Sequence, residues 1–243
     1  QMAMALYKHW FVDFGSFQEG EFIDSELGKI PKGWEVKCIG DIVKSLSKGT
    51  TPRQKDVEGL EISIPFLKVK DISEDGLIKE NNLEFIPLQV HENQLKRSIL
   101  EYNDILISIA GTIGRVSVVP EKLDFSNCNQ ALAFIRLKDK NLLLPQIYYY
   151  FKSETVKRSI ESSIVQGVQA NVSLTVLKDL KTVVSTNQVS LKFNKEIYPL
   201  FNQLQNNKIE NQILTNLRDT LLPKLISGEV RVKEVEKTIS AVL

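Results

Sequence analysis

The chain of 243 residues has only two cysteines and two histidines. Cys38 and Cys128 are far apart and form no CxxC pair, so the sequence indicates neither a disulfide framework nor a zinc site. His9 and His91 stand away from the cysteines and from acidic clusters at ligand spacing, which leaves metal chemistry unsupported. A reducing cytoplasm is the simplest compartment for such a chain.

The chain also lacks an excess of either charge and any long apolar run. Its 31 basic and 30 acidic residues nearly cancel, so any attraction to nucleic acid must come from a local basic surface. No stretch approaches the roughly 20 apolar residues of a membrane span. The opening QMAMALYKHWFVDF has no basic leader, sustained apolar core or small-residue cleavage site, so we do not expect a signal peptide.

Motifs that carry catalysis are missing as well. The sequence contains no serine elbow, HExxH or Walker motif. Glu35, Val36 and Lys37 spell the E-x-K of many nucleases, but no Pro-Asp pair precedes them, and the tripeptide often arises by chance. Nothing in the sequence therefore favours an enzyme, and an orphan nuclease is the weakest of the functional hypotheses.

What is present is an ordinary globular composition, 42% hydrophobic and 25% charged. Composition and periodicity predict an α+β protein in which a mixed, mainly β domain is followed by a long helix that needs a partner helix. The predicted segments are the end of a helix over 1–14, a linker rich in Gly, Ser and acidic residues over 15–33, the mixed domain over 34–187, the long helix over 188–228 and a tail over 229–243.

Within the mixed domain, apolar runs bounded by turn residues predict strands. Pro145 is expected in the first turn of an amphipathic helix, and Ser173 is expected to cap a short helix over Leu174 to Leu180. The four predicted strands are Ile64 to Val69, Asp104 to Ala110, Arg115 to Pro120 and Ala131 to Leu137.

The long terminal helix is longer than the mixed domain requires. If about 35 residues are helical it is roughly 50 Å long, more than a domain of this size needs to cover its own sheet. Pro199 and Pro223 are expected to kink or interrupt it. The pattern predicts a partner helix, with the pairing interface at Ile197, Leu204, Leu214, Leu217 and Leu221.

Four polar stretches each allow two interpretations. SIAGTIGRV (108–116) suggests a phosphate loop, but the next predicted element is a strand, which favours a tight hairpin turn. SKGTTPR (47–53) suits phosphate oxygens or base edges, and equally a solvated turn. The amides of NCNQALAFIRL (127–137) and QGVQANVS (166–173) are able to pair with adenine, although Asn and Gln are also common in turns.

Taken together, these stretches resemble the specificity subunit of a type I restriction-modification enzyme. The resemblance covers nearly the whole chain, and its strength lies in the order of eight motifs. They are ALYKHWFVDF, DSELGKIPKGWEV, KGTTPR, IPFLKVKDI, NDILISIAGTIGRV, NCNQALAFIRL, VQANVSLTVLKDL and LRDTLLPKLISGEVRV.

In that family a full subunit carries two target-recognition domains, each followed by a long conserved helix, and the two helices pack antiparallel. This chain has one such domain, and its first 14 residues resemble the end of the family's central helix. The resemblance therefore implies the second half of a specificity subunit. A fragment, a recombined gene product and a natural half-subunit that dimerises all remain open.

The resemblance further implies a non-catalytic subunit that reads one half of a bipartite double-stranded DNA target and has no cofactor of its own. S-adenosylmethionine, Mg and ATP are expected on the partner methyltransferase and restriction subunits. The residues that choose the bases are expected in the stretches 56–62 and 73–98, which match no family motif. The alternative function is that of a helical assembly protein without DNA readout. The expected DNA contacts are Lys48, Thr50, Thr51, Arg53, Thr112, Arg115, Gln166, Gln169 and Asn171.

Overall fold

A computed structural model describes residues 1–165 and 171–229, and the chain divides into two units, 1–198 and 199–243. Strands and helices are mixed along the chain, which confirms the α+β class. The helices are α1 (Met2–Phe11), α2 (Ile39–Ile42), α3 (Gln54–Val57), α4 (Leu88–Glu92), α5 (Lys140–Phe151), α6 (Glu154–Val165), α7 (Leu174–Asp179) and α8 (Asn187–Ile226). The strands are β1 (Phe22–Ser25), β2 (Gly28–Pro31), β3 (Glu35–Cys38), β4 (Val43–Lys48), β5 (Ile62–Leu67), β6 (Glu84–Pro87), β7 (Ile105–Ser108), β8 (Val116–Val118), β9 (Asn127–Cys128), β10 (Leu132–Leu137) and β11 (Lys181–Val184).

The centre of the first unit is a four-stranded antiparallel sheet in the order β4-β10-β7-β8. β7 and most of β10 are buried because both faces of the sheet are covered. Leu106, Leu132 and Phe134 belong to a cluster on one face, and α5 contacts β10 and β8. Since β7 and β8 pair antiparallel, the hairpin interpretation of SIAGTIGRV is confirmed, with Gly111 and Gly114 at φ values of 70° and 87°.

A smaller sheet, ordered β6-β5-β9, combines two strands from the segment between β4 and β7 with β9, which follows β8. Residues 54–98, which contain α3, β5, β6 and α4, form what we call the α3–α4 module. Its core is a cluster of Phe66, Ile86, Val90 and Leu95, against which Val57 of α3 packs. The parallel pairing of β5 with β9, Phe66 opposite Asn127, joins the module to the strand that leads into β10.

The prediction that Pro145 opens a helix is wrong. α5 begins at Lys140, where the Asp139 side chain accepts a hydrogen bond from the Leu142 N–H at 3.1 Å, and Pro145 lies inside the helix. Proline has no N–H, so the carbonyl of Asn141 lacks its helical donor. Asn194 of α8 supplies one, with Nδ2 donating to the carbonyl oxygen of Asn141 at 2.7 Å. A distant side chain therefore makes the internal proline tolerable. The cap expected for α7 is confirmed, because Ser173 Oγ accepts from the Val176 N–H.

Aromatic side chains join α1 to the rest of the first unit. Phe11 contacts Phe193 of α8 edge to face, with ring centroids 4.8 Å apart, and Trp10 and Trp34 extend the cluster. The segment 15–33, predicted as a linker, contains the β1–β2 hairpin, with Ile23 opposite Ile30. It is thus more ordered than its Gly- and acid-rich composition indicates, because Phe17 and Phe22 join the same aromatic cluster.

The long helix α8 coincides with the predicted spacer helix to within two residues at each end. Pro199 and Pro223 both lie inside α8, so the interruption that was expected at these prolines does not occur. Ile197 was predicted in the pairing interface, but its side chain is fully buried in the first unit and is not available to a partner helix. In the second unit, Leu214 is 39% exposed and Leu204, Leu217 and Leu221 are partly exposed.

Candidate nucleic-acid interface

Polar loops collect at one end of the central sheet. β4 and β7 end there and β10 begins there, because the register pairs Lys48 with Ala133 and Ser108 with Leu132. We call the loops at this end the polar rim and define it as residues 48–53, 109–115, 129–131 and 171–172. Four segments that are separate in sequence thus meet at this end of the sheet.

The Lys48–Thr51 turn is fixed by its backbone. The Gly49 N–H donates to the Leu132 carbonyl at 3.0 Å, and the Thr50 N–H donates to the Cys128 carbonyl at 3.1 Å. A Cβ atom at Gly49 would lie 1.9 Å from the carbonyl oxygen of Cys128, so only glycine allows this approach. The consequence is a rigid turn that leaves the side chains of Thr50 and Thr51 exposed.

Two predicted cations occupy the rim in different states. Lys48 is exposed, and no ion pair within the described ranges includes it. Arg53 is also exposed but donates from Nε to Asp56 Oδ2 at 2.8 Å and from Nη2 to Oδ1 at 3.3 Å. These hydrogen bonds lower the pKa of Asp56 and raise the pKa of Arg53. Exposed pairs of this kind are weak, so Arg53 is oriented by Asp56 but not withdrawn from solvent.

The two residues predicted in the β7–β8 turn have different environments. Thr112 is exposed, and its carbonyl accepts a hydrogen bond from Ser108 Oγ at 2.5 Å, which tightens the turn. Arg115 is partly buried, and its Nη1 donates to the carbonyl of Ile72 at 2.6 Å and to that of Val69 at 3.3 Å. Carbonyls of a distant loop therefore hold Nη1 of the guanidinium inside the domain, and DNA contact by Arg115 stays a prediction.

The loop before α7 reaches the rim at its end. The Val172 N–H donates to the carbonyl of Ile109 at 2.9 Å, which brings the exposed Asn171 beside the β7–β8 turn. Gln166 and Gln169, also predicted as DNA contacts, lie outside the described residues. Of this predicted reading loop, the structure thus places Asn171 at the rim.

Two further side chains belong to this surface. Gln130 is exposed, and its Oε1 accepts a hydrogen bond from the Thr51 hydroxyl, which links β10 to the Lys48–Thr51 turn. Gln94, from the α3–α4 module, hydrogen-bonds Asp56 and so touches the residue that orients Arg53. The amide of Gln130 was visible in the sequence as a polar residue at the head of a strand. Nothing local marks Gln94, because its contact depends on the packing of the module.

The rim offers positive charge, hydroxyls and amides but no reactive group. In the part of the chain that the structure describes, no three His, Cys, Asp or Glu side chains come together as metal ligands. Burial raises the pKa of Cys128 to about 12, which disfavours a thiolate nucleophile. Glu35 and Lys37, the E-x-K residues, pair with each other at 2.8 Å on β3. The positive charge, hydroxyls and amides of the polar rim suit contacts with phosphates and bases.

No helix within 1–165 or 171–229 has both the length and the apolar character needed to cross a bilayer.

Residues 31–219 match the family described as the type I restriction modification DNA specificity domain. The chain is 29% identical over 244 residues to the type I restriction enzyme MjaIX specificity subunit of Methanocaldococcus jannaschii, covering 97% of this chain and 54% of that protein. It is 25% identical over 204 residues to the HindI specificity subunit of Haemophilus influenzae, covering 83% and 42%. The chain thus spans about half the length of the curated relatives it matches.

Two solved structures are similar in fold. The type I restriction-modification S subunit from M. genitalium matches with a TM-score of 0.55 and 18% identity, over 80% of this chain and 46% of that one. The HsdS subunit from Thermoanaerobacter tengcongensis matches with a TM-score of 0.50 and 14% identity, over 94% and 51%. At these identities the similarity establishes the fold.

Proposed function

Because this chain belongs to the family of type I restriction-modification DNA specificity domains, we propose that it reads one half of a bipartite double-stranded DNA target and directs methyltransferase and restriction subunits to it. Its role is non-catalytic. S-adenosylmethionine, Mg and ATP belong to those partner subunits in this proposal, and the compartment is the cytoplasm.

One observation carries the proposal: the polar rim. Lys48, Thr50 and Thr51 come from the loop after β4 and Thr112 from the loop after β7, and all four are exposed at the same end of a buried sheet. Lysine and hydroxyl groups are common phosphate ligands, and the amides of Gln130 and Asn171 suit base edges. A rigid sheet that holds such groups together is a suitable DNA-binding platform because little side-chain and loop freedom is left to lose on binding.

The second half of the target needs a second recognition domain. The chain spans about half of its curated relatives, and it carries partly exposed leucines along α8 in its second unit. We propose that these leucines pair with the equivalent helix of another half, either a second copy or a further segment of the same protein. The same leucines favour the alternative, a helical assembly protein without DNA readout.

The deciding experiment is to express this chain with its cognate methyltransferase subunit and to map N6-methyladenine across the host genome. The proposal expects methylation at one defined bipartite sequence that disappears when the chain is omitted. A stable complex that forms without any sequence-dependent methylation would favour the assembly protein and reject DNA readout.

Alanine substitution of Arg53 and of Arg115 is expected to affect two different properties, DNA binding and the stability of the fold. Arg53→Ala should weaken DNA binding by the assembled methyltransferase and reduce the salt slope by about 1, because one phosphate contact no longer releases counterions. Arg115→Ala should instead destabilise the fold by about 1–3 kcal/mol, because the carbonyls of Val69 and Ile72 lose their donor.

Salt-dependent binding titrations and thermal unfolding of both variants separate these effects. If Arg53→Ala leaves the salt slope unchanged, Arg53 does not contact a phosphate. If Arg115→Ala unfolds like the wild-type chain, the interior role assigned to Arg115 is wrong.

A further inference from the structure

A buried polar clamp holds the turn between α4 and β7. Asn127 is fully buried, and its Nδ2 donates to the carbonyls of Leu95 at 3.2 Å and Ser98 at 3.0 Å. Its Oδ1 lies 2.6 Å from Nδ1 of His91, which is also buried. Because Nδ2 is committed to two acceptors, Oδ1 must accept, and the proton therefore resides on His91 Nδ1. The clamp fixes both ends of the turn at once.

The two residues between the clamped ends are cations. Lys96 and Arg97 are exposed, while the flanking Leu95 and Ser98 are 1% and 2% exposed. Neither cation takes part in an ion pair or side-chain hydrogen bond with any other residue of 1–165 and 171–229. A buried polar network is costly unless every member is satisfied, and the hydrogen bonds of Asn127 fix the backbone of the turn that carries these two cations.

The clamped turn lies beside α3, next to the polar rim. Gln94 precedes the turn and hydrogen-bonds Asp56 of α3, the residue that orients Arg53. Leu95, at the start of the turn, packs in the same cluster as Val57 of α3. The turn that carries Lys96 and Arg97 is therefore joined to α3, the helix that begins directly after Arg53.

We propose that Arg97 determines part of the DNA target by pairing with a guanine in the half-site, while Lys96 contacts a neighbouring phosphate. This assignment rests on the proposed function. An arginine fork reads the O6 and N7 atoms of guanine only if its orientation is controlled, and the Asn127 clamp controls the backbone on both sides of Arg97. Arg97 also lies in 73–98, a stretch without family-like motifs, where the sequence predicts base choice.

The test compares Arg97→Ala, Arg97→Lys and Lys96→Ala in the methyltransferase assembled with the full chain. Each variant is assayed by genome-wide methylation mapping and by binding to a set of duplexes with single base-pair changes in the half-site. Lys29→Ala is the matched control, because Lys29 is an exposed cation on the β1–β2 hairpin, outside the rim and the module.

Arg97→Ala should lower the discrimination at one G·C pair about 10-fold or more, and Arg97→Lys should lower it as well, because lysine lacks the fork. Lys96→Ala should weaken all duplexes alike and reduce the salt slope by about 1, and Lys29→Ala should change neither property. Unchanged discrimination in both Arg97 variants, or an equal loss on every duplex, would overturn base reading by Arg97.

The inference and the proposed function fail in different ways. Arg97 variants that bind DNA normally but no longer assemble with the methyltransferase would assign the turn to a protein interface and reject the proposal. A wild-type assembly without sequence preference would reject the proposed function itself, and the guanine assignment with it.

Discussion

Replacement of Arg136 by methionine is expected to destabilise the first unit by about 3–5 kcal/mol at neutral pH, because it leaves a buried carboxylate without its partner. Arg136 donates from Nε to Asp104 Oδ1 at 3.0 Å and from Nη2 to Oδ2 at 2.7 Å, and it also donates to the Ile99 carbonyl. The Asp104 side chain is only 2% exposed. Methionine preserves most of the volume and removes the charge and the donors.

The loss should depend on pH in a defined direction. Burial already raises the pKa of Asp104, and the hydrogen bonds from Arg136 oppose that rise. Without Arg136 the folded-state pKa rises further above the unfolded value. The variant therefore regains stability as the pH falls below that raised pKa and the carboxyl becomes neutral. The deficit relative to the wild-type chain should be largest at pH 7 and smaller near pH 5.

Urea unfolding at both pH values measures the deficit, with Lys122→Met as the control. Lys122 pairs with Glu80 at 2.6 Å on the surface, and such pairs contribute at most about 1 kcal/mol. A deficit for Arg136→Met no larger than that of the control, or one that grows on acidification, would contradict the proposed role of the buried pair.

Leu214→Asp combined with Leu217→Asp is expected to reduce association through α8 at least about 100-fold. The two leucines are three positions apart and thus lie on one helical face, with Leu221 four positions further on. Leu214 is 39% exposed and Leu217 partly exposed, so aspartate is tolerated in the isolated chain. In a packed helix pair the same carboxylates would be desolvated without a partner, which is costly.

Analytical ultracentrifugation of the variants, alone and with a partner half, measures this effect. Asn216→Asp introduces the same residue at an exposed polar position of the same helix and should leave association unchanged. If the double variant associates as tightly as the wild-type chain, the leucines do not form the interface. Ile197 is not used for this test, because its burial in the first unit would turn any substitution into a folding defect.

Local chemistry made several features predictable. The strands around Ile107 and Phe134 were visible as apolar runs between turn residues, and Ser173 was visible as a cap, because both signals depend on residues a few positions apart. The hairpin at Gly111 and Gly114 was predictable because a strand was expected on each side of the glycines. These features require no knowledge of distant contacts.

Arg53 and Arg115 show the difference between what the local sequence predicts and what only distant contacts decide. Both were predicted as DNA contacts on the basis of the family resemblance. Arg53 is held at the surface by Asp56, three residues away, whereas Arg115 donates to the carbonyls of Ile72 and Val69, which no local pattern links to it. Sequence distance also explains Pro145: the Asn141 carbonyl, which the proline leaves without a helical donor, accepts a hydrogen bond from Nδ2 of the distant Asn194.

The sequence by itself determined the α+β class, the positions of the central strands, the long terminal helix and the family resemblance. Only the tertiary structure decided which polar side chains share a surface: it joined Thr51 to Gln130, turned Arg115 inward and placed the Asn127 clamp under Lys96 and Arg97. The physical reason is the distance along the chain between the residues that interact. Periodicity and capping depend on neighbours within a few residues, whereas a hydrogen-bond partner is chosen by whichever distant segment the packed core brings within about 3 Å.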